Sequence, residues 1–345
     1  MYDYIFITHL PAFYKVNLYN ELHKRLKIFV VFVASSSAIR TPDFIGRNCE
    51  FEHAVLHEGD FETRPQLSTS LKVFKILSRL KYKKVVVGGW DLVEFWVTVL
   101  TNPRCRNVVT VESTLNEGAN SSLKQRVKTF FISRIASAFP SGRLHQQLLS
   151  SLGFRGASYF TGGVGMFNRV AFQPSPREFS AAFLYVGRLS PEKNLLMLVE
   201  VFKELPEFKL TIVGAGPIEQ QLKAAAPANV TIITHVPNEE ISEVYCSHDV
   251  FILPSLREPW GLVIDEALFF GLPVIVSRNV GCHTELISDG VNGLLFDAHD
   301  RGELSAAVQK ICKPGVYAQM RCNVLAMDFT RRDEEQLQAY ERAIL

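Results

Sequence analysis

D-V-F-I-L-P-S-L-R-E-P-W-G-L-V-I-D-E-A-L-F-F-G-L-P-V-I-V-S, residues 249–277, is the stretch whose reading decides the fold. Its first apolar run, 250–253, has the length and composition of a buried strand. Leu253-Pro254-Ser255 closes that run, and a Pro-Trp-Gly break at 259–261 leads into a helix expected to start near Gly261. Gly271-Leu272-Pro273 follows the helix, and a second apolar run, 273–276, reads as another strand. The free N–H groups of the first helical turn can hold an anion. Two carboxylates flank that turn eight positions apart: Glu258 in the loop and Glu266 within the helix. A phosphate cradle between two hydroxyl acceptors suits a nucleotide-sugar.

Glutamates at this spacing are common by chance, but the long form of the stretch is specific. It resembles the donor-site motif, E-x7-E, of retaining glycosyltransferases of family 4. The resemblance runs from about Phe183 to Asp297 and fades in the N-terminal half. It implies the GT-B fold: an α/β architecture of two Rossmann-like domains facing each other across an interdomain cleft, with a C-terminal helix crossing back to the N-terminal domain. By the same resemblance, Glu266 holds the ribose hydroxyls and Glu258 sits near the donor sugar and its phosphate-linked carbon. Pro259, Trp260, Gly261 and Leu262 supply the loop and helix start that face the sugar. The indole of Trp260 can equally be core packing, and Asp265 reads as a solvated helix residue.

Outward from this stretch lies a series of α/β repeats. Strands are expected at 182–186, 209–213, 230–234, 250–253, 273–276 and 293–296, and helices near Asn194, Ile218, Glu239, Gly261 and Thr284 and over 301–311. The series opens with F-L-Y-V-G-R-L-S-P-E-K-N-L, in which Gly187 ends a strand and allows close backbone approach to a ligand. Arg188 and Lys193 follow in the loop, and two cations opposite a helix N-terminus neutralise a departing diphosphate. Gly214-Ala215-Gly216-Pro217 is a strand-to-helix turn that fits close packing beneath a nucleotide, with Pro217 suited to a first helical position. His235 and Val236, at the next strand end, occupy the place where relatives hold the base through backbone groups. His283, near the start of a further helix, receives no chemical role.

The N-terminal half alternates in the same way, with strands at 5–8, 28–34, 85–87 and 108–111 and helices at 15–26, 67–80, 92–100 and 123–137, as in a parallel sheet with crossover helices. Many relatives have a glycine pair after the first strand. Here the turn is Thr8-His9-Leu10-Pro11-Ala12-Phe13-Tyr14-Lys15, similar to a subset of bacterial surface-polysaccharide and lipopolysaccharide transferases. His9 and Lys15 stand at a strand's carboxyl end, where substrate is met. Some relatives place a cleft histidine after the strand at 108–111; this chain has Glu112, a candidate to orient the acceptor hydroxyl or the donor sugar, or a helix-capping carboxylate. The expected domains are 1–165 for the acceptor, joined by a returning helix at 328–345, a linker at 166–180 marked by Gln173-Pro174-Ser175-Pro176, and 181–327 for the donor.

Composition bounds the remaining classes. At 345 residues two domains are the default. Hydrophobic residues make up 47%, enough for ordinary cores, yet no run of about 18 apolar residues predicts a membrane-spanning helix. The start, M-Y-D-Y-I-F-I-T-H, reads as a strand rather than a signal peptide. Six scattered cysteines lack metal or disulfide spacing, and no D-x-D motif calls for a metal ion, so neither metal nor cofactor is expected. The net charge of +2 divides into +10 over residues 1–170 and −8 over 171–345. The basic half, with two basic amphipathic stretches at 71–84 and 123–134, suggests an anionic acceptor or membrane surface. The expected protein is a cytoplasmic, hexosyl-type enzyme peripheral to the inner membrane. It would use a nucleotide-sugar donor and a glycan or lipid-linked acceptor, without nucleic acid. A nucleotide-sugar 2-epimerase and a non-catalytic nucleotide-sugar binder are the alternatives.

Overall fold

The computed structural model describes residues 1–40, 42–46, 48–115, 122–167, 172, 178–238 and 240–344. Most of the linker expected over 166–180, including Gln173-Pro174-Ser175-Pro176, lies outside the described residues, as does Glu239, an expected helix start. The chain divides into two compact units: Met1–Asn168 with Thr330–Leu345 (unit 1), and Arg169–Phe329 (unit 2).

Unit 1 alternates strand and helix. It begins β1 (Tyr2–Thr8), α1 (Phe13–His23), β2 (Ile28–Phe32), β3 (Glu52–Val55), α2 (Gln66–Arg79), β4 (Tyr82–Val87) and α3 (Val93–Thr101). It continues β5 (Asn107–Val111), α4 (Ser122–Ser133), β6 (Ser137–Pro140), α5 (Arg143–Ser151) and β7 (Ala157–Ser158). The strands form one parallel sheet in the order β3-β2-β1-β4-β5-β6-β7. Its central strands are apolar on both faces because helices cover both. Val31, Val85 and Val109 meet Val73, Leu77, Phe95, Phe131 and Leu149 from α2, α3, α4 and α5 on one face. Tyr4, Phe6 and Val30 meet Val16, Leu18 and Leu22 of α1 on the other.

Unit 2 repeats the design with β8 (Ala182–Val186), α6 (Leu195–Glu204), β9 (Lys209–Val213), α7 (Glu219–Ala225), β10 (Val230–Ile233), α8 (Ile241–Cys246) and β11 (Val250–Leu253). There follow α9 (Leu262–Phe269), β12 (Val274–Ser277), α10 (His283–Leu286), β13 (Gly293–Phe296), α11 (Arg301–Ile311) and α12 (Val316–Leu325). The parallel order is β10-β9-β8-β11-β12-β13. Buried Asp249 pins β8 beside β11 at their amino ends, accepting from the Ser180 and Ala182 N–H groups at 3.0 Å and the Ser180 hydroxyl at 2.7 Å.

The last helix, α13 (Phe329–Arg342), returns to unit 1. Its Leu337 and Tyr340, with Ala343 just past its end, complete the core on the α1 face, and the Tyr4 hydroxyl donates to the Tyr340 carbonyl at 2.8 Å. Sequence reading misses β3, β6, β7, α5 and α12. β3 is a polar edge strand, E-H-A-V. β6 follows α4 with no glycine or proline between, so a helical pattern runs on through it; the helix stops at Ser133. Among the described residues no helix is long and apolar enough to cross a membrane.

Candidate functional site

The order of the unit 2 sheet places β8 and β11 side by side although a crossover from each leads away in opposite directions. Loops leaving their carboxyl ends therefore diverge, and such a switch point is where open α/β sheets hold ligands. The loops here are 187–194 and 254–261. The turn after β9 closes on the first of them. Gly214 could not carry a side chain, since a Cβ would lie 1.9 Å from the Gly187 carbonyl oxygen. The Leu189 N–H donates to the Ala215 carbonyl at 2.9 Å, and the Ile218 N–H to that of Leu189 at 3.2 Å. Pro217 thus precedes the helix, which begins at Glu219.

Loop 254–261 is fixed from two sides. The Leu256 N–H donates to the Glu192 carbonyl at 2.8 Å, joining the two loops. Behind it, the Gly281 and Cys282 N–H groups donate to the carbonyls of Glu258 and Trp260, each at 2.9 Å. The Ser277 hydroxyl donates to the Ser255 carbonyl at 2.6 Å. His283 lies in the adjoining turn, its Nδ1 2.8 Å from the Val280 carbonyl oxygen.

The side chains on these loops pair across the switch point. Lys193 Nζ donates to Glu258 Oε2, with the two side chains only 16% and 14% exposed. Arg188 pairs with Glu192 at 2.5 Å, and the Ser190 hydroxyl donates to the same oxygen at 2.7 Å. Burial opposes charge on Glu192, but the bonds from Ser190 and Arg188 prevail and bring its carboxyl down to about 2. Each expected cation thus carries a carboxylate partner.

Gly261 caps α9 with φ +98°, a left-handed conformation that other residues rarely adopt. Trp260 is 2% exposed, and its indole N–H donates to Asp265 Oδ2 at 2.9 Å. That corrects the expectation of a solvated Asp265: the carboxylate is buried because it satisfies the tryptophan. One residue on, Glu266 Oε2 accepts from the Tyr245 hydroxyl at 2.7 Å. Burial pushes the Glu266 carboxyl up to about 7, against the bond from Tyr245 and with help from neighbouring Asp265. Pro259 is exposed and Leu262 half-buried at the same helix start.

His235 and Val236 lie past the end of β10, the edge strand, two strands from β8. Carboxyl-edge bonds run to within two residues of His235: Gly187 N–H to Val213 carbonyl at 3.0 Å, then Gly214 N–H to Ile233 carbonyl at 2.8 Å. The unit 2 candidates therefore share one sheet edge, with Gly187, Arg188, Lys193, Glu258 and Gly261 at its switch point.

In unit 1 the switch point lies between β1 and β4. His9 follows β1, and its Nε2 is 2.7 Å from Asp91 Oδ2 in the loop after β4. The ring sits edge-on to Phe95, with centroids 5.2 Å apart. Lys15 lies within α1, is buried, and pairs with Glu112 beyond β5. Glu112 is therefore an ion-pair partner across the sheet edge rather than a helix cap. Sequence reasoning missed Glu192, Tyr245 and the pairing of His9 with Asp91. The R-x3-E spacing of Arg188 and Glu192 was a readable signal; Asp91 and Tyr245 meet their partners only through the fold.

Residues 168–323 match the family model of glycosyl transferases group 1. The matched span coincides closely with unit 2. Sulfoquinovosyl transferase SQD2 of Arabidopsis thaliana is 36% identical over 120 residues, 34% of this chain and 24% of the relative. The D-inositol 3-phosphate glycosyltransferase of Mycobacterium sp. (strain KMS) is 32% identical over 178 residues, 48% of this chain and 39% of the relative. The chain thus spans well under half the length of these curated relatives. The solved structure of Anabaena Alr3699/HepE in complex with UDP superposes with a TM-score of 0.76 at 18% identity, covering 99% of each chain. The fold is GT-B, as the resemblance implied: two Rossmann-like units, each with a parallel sheet.

Proposed function

We propose that the chain is a retaining glycosyltransferase that moves a hexosyl-type sugar from a nucleoside-diphosphate sugar to a hydroxyl of a glycan acceptor. The reading rests on one observation: Lys193 and Glu258 meet at the unit 2 switch point, inside the span that matches glycosyl transferases group 1. Arg188 and Lys193 would exchange their carboxylate partners for the diphosphate, and the N–H groups opening α9 would share its charge. Freed from Lys193, Glu258 would accept hydroxyls of the sugar. Glu266 would take the ribose, and the turn at His235 and Val236 the base. The leaving phosphate oxygen would receive the acceptor proton, with His9 and Glu112 serving the acceptor side. No metal ion or further cofactor enters this scheme.

The test is a nucleotide-sugar panel read first by thermal stabilisation, then by acceptor-dependent release of nucleoside diphosphate. The HepE structure holds UDP, so UDP-sugars head the panel. Retention at the anomeric carbon is read by NMR of the product. Absence of stabilisation by every nucleotide-sugar sinks the reading.

The favoured acceptor is lipid-linked or of lipopolysaccharide type, met at the cytoplasmic face of an anionic inner membrane. α2, α3 and α4 pack on one face of the unit 1 sheet. Outward from it stand Leu71, Phe74, Val127 and Phe130, exposed among Lys72, Lys75, Lys124 and Arg126. Trp96 of α3 stacks on Phe130 of α4 at 6.2 Å, which joins the helices into one surface. Apolar groups among cations suit an anionic bilayer. Sedimentation with phosphatidylglycerol vesicles, weakening with salt and absent with phosphatidylcholine alone, is expected; equal binding to both counts against it.

A further inference from the structure

We infer that Tyr245 is a positioning residue for ribose recognition: its hydroxyl fixes one oxygen of Glu266 and leaves the other to receive the nucleotide's sugar diol. This rests on the donor reading above.

Tyr245 is held rigidly. It is fully buried on α8, its ring stacked on Phe270 at 5.3 Å and 14° and tilted against Phe251 at 5.9 Å. The hydroxyl therefore has a fixed place, 2.7 Å from Glu266 Oε2. A side chain with no donor there would leave a half-buried carboxylate with both oxygens to orient and less reason to ionise. The titratable groups acting on Glu266 are Tyr245, from α8, and Asp265, beside it on α9 and itself held by the Trp260 N–H. Burial lifts the Glu266 carboxyl to about 7, the bond from Tyr245 works against that rise, and Asp265 adds to it. Near neutrality both protonation forms are populated. Only the ionised form offers all its lone pairs to two hydroxyl donors. A ribose diol therefore binds with release of a proton, and Tyr245 sets the pH at which that release ceases to be needed.

The experiment is calorimetric titration of UDP and GDP from pH 5.5 to 9, beside the 2′,3′-dideoxy analogue of whichever binds. The ratio of the two affinities cancels the titration of the diphosphate itself. In the unaltered protein this ratio rises by about tenfold per pH unit and levels near 7. In Tyr245→Phe, which keeps the stacked ring, levelling moves up by about one pH unit and the ratio at pH 7 falls roughly fivefold. In Glu266→Gln the ratio does not vary with pH. A levelling point unmoved in Tyr245→Phe, or a pH-dependent ratio surviving in Glu266→Gln, overturns the inference while the donor reading stands. Failure of every nucleotide-sugar in the panel above, with neither UDP nor GDP bound by the unaltered protein, overturns the donor reading itself.

Discussion

Lys193 and Glu258 come from loops sixty-five positions apart, yet share one ion pair with little exposure. Lys193→Ala removes the cation proposed for the diphosphate and strands a carboxylate. Turnover is expected to fall by about 100-fold or more, with a stability loss of only about 1–2 kcal/mol because the pair is partly solvated. Steady-state kinetics beside urea unfolding separates the two effects; a near-normal rate would remove Lys193 from the site. Glu266 gives a second prediction at this scale. Its folded carboxyl lies at about 7, above the ordinary 4.5, so folding favours the protonated form. That contribution is complete below about 4.5 and is lost as pH rises through about 7. Thermal melting without nucleotide should show Glu266→Gln losing less stability than the unaltered protein between pH 5 and 8. Parallel curves would contradict the burial of this carboxyl.

Loop 254–261 and α9 form one element whose shape depends on Gly261. A Cβ there would stand 2.9 Å from Val280 Cγ1 on a backbone with φ +98°. Gly261→Ala should cost about 1–3 kcal/mol and displace the amide groups of the helix start, so nucleotide affinity should fall as well. Unfolding midpoints and calorimetry check the two halves of that statement; an alanine variant of full stability would show that the turn relaxes. The sequence displayed this element well. The Pro-Trp-Gly break, the apolar runs on either side and the glycine that ends the helix are local signals. It did not display the role of Trp260 and Asp265, because an indole N–H and a carboxylate five positions apart meet only when the loop folds back onto the helix.

Across the whole molecule, the chain completes unit 1 with its last helix. Leu337 and Tyr340 of α13 are buried against Phe6, Val16 and Phe139, and Tyr340 lies 4.4 Å from Phe139 between ring centroids. Deleting residues 330–345 should remove about 5 kcal/mol from unit 1 while nucleotide still stabilises unit 2. Calorimetry resolves this; a deletion that leaves every transition in place would refute the packing. Alternating apolar runs and amphipathic segments, read along the sequence, determined that the protein has two α/β units with parallel sheets, and the 249–277 stretch pointed to the sheet edge proposed here for the donor. Those patterns are legible because burial imposes a period on neighbouring residues. Only the tertiary structure decided that Tyr245 supports Glu266, that Asp91 faces His9, that Glu112 neutralises Lys15 and that Arg188 and Lys193 each carry a carboxylate. Such partnerships join residues far apart in the chain, and nothing in local periodicity records which strand ends the sheet order will bring together.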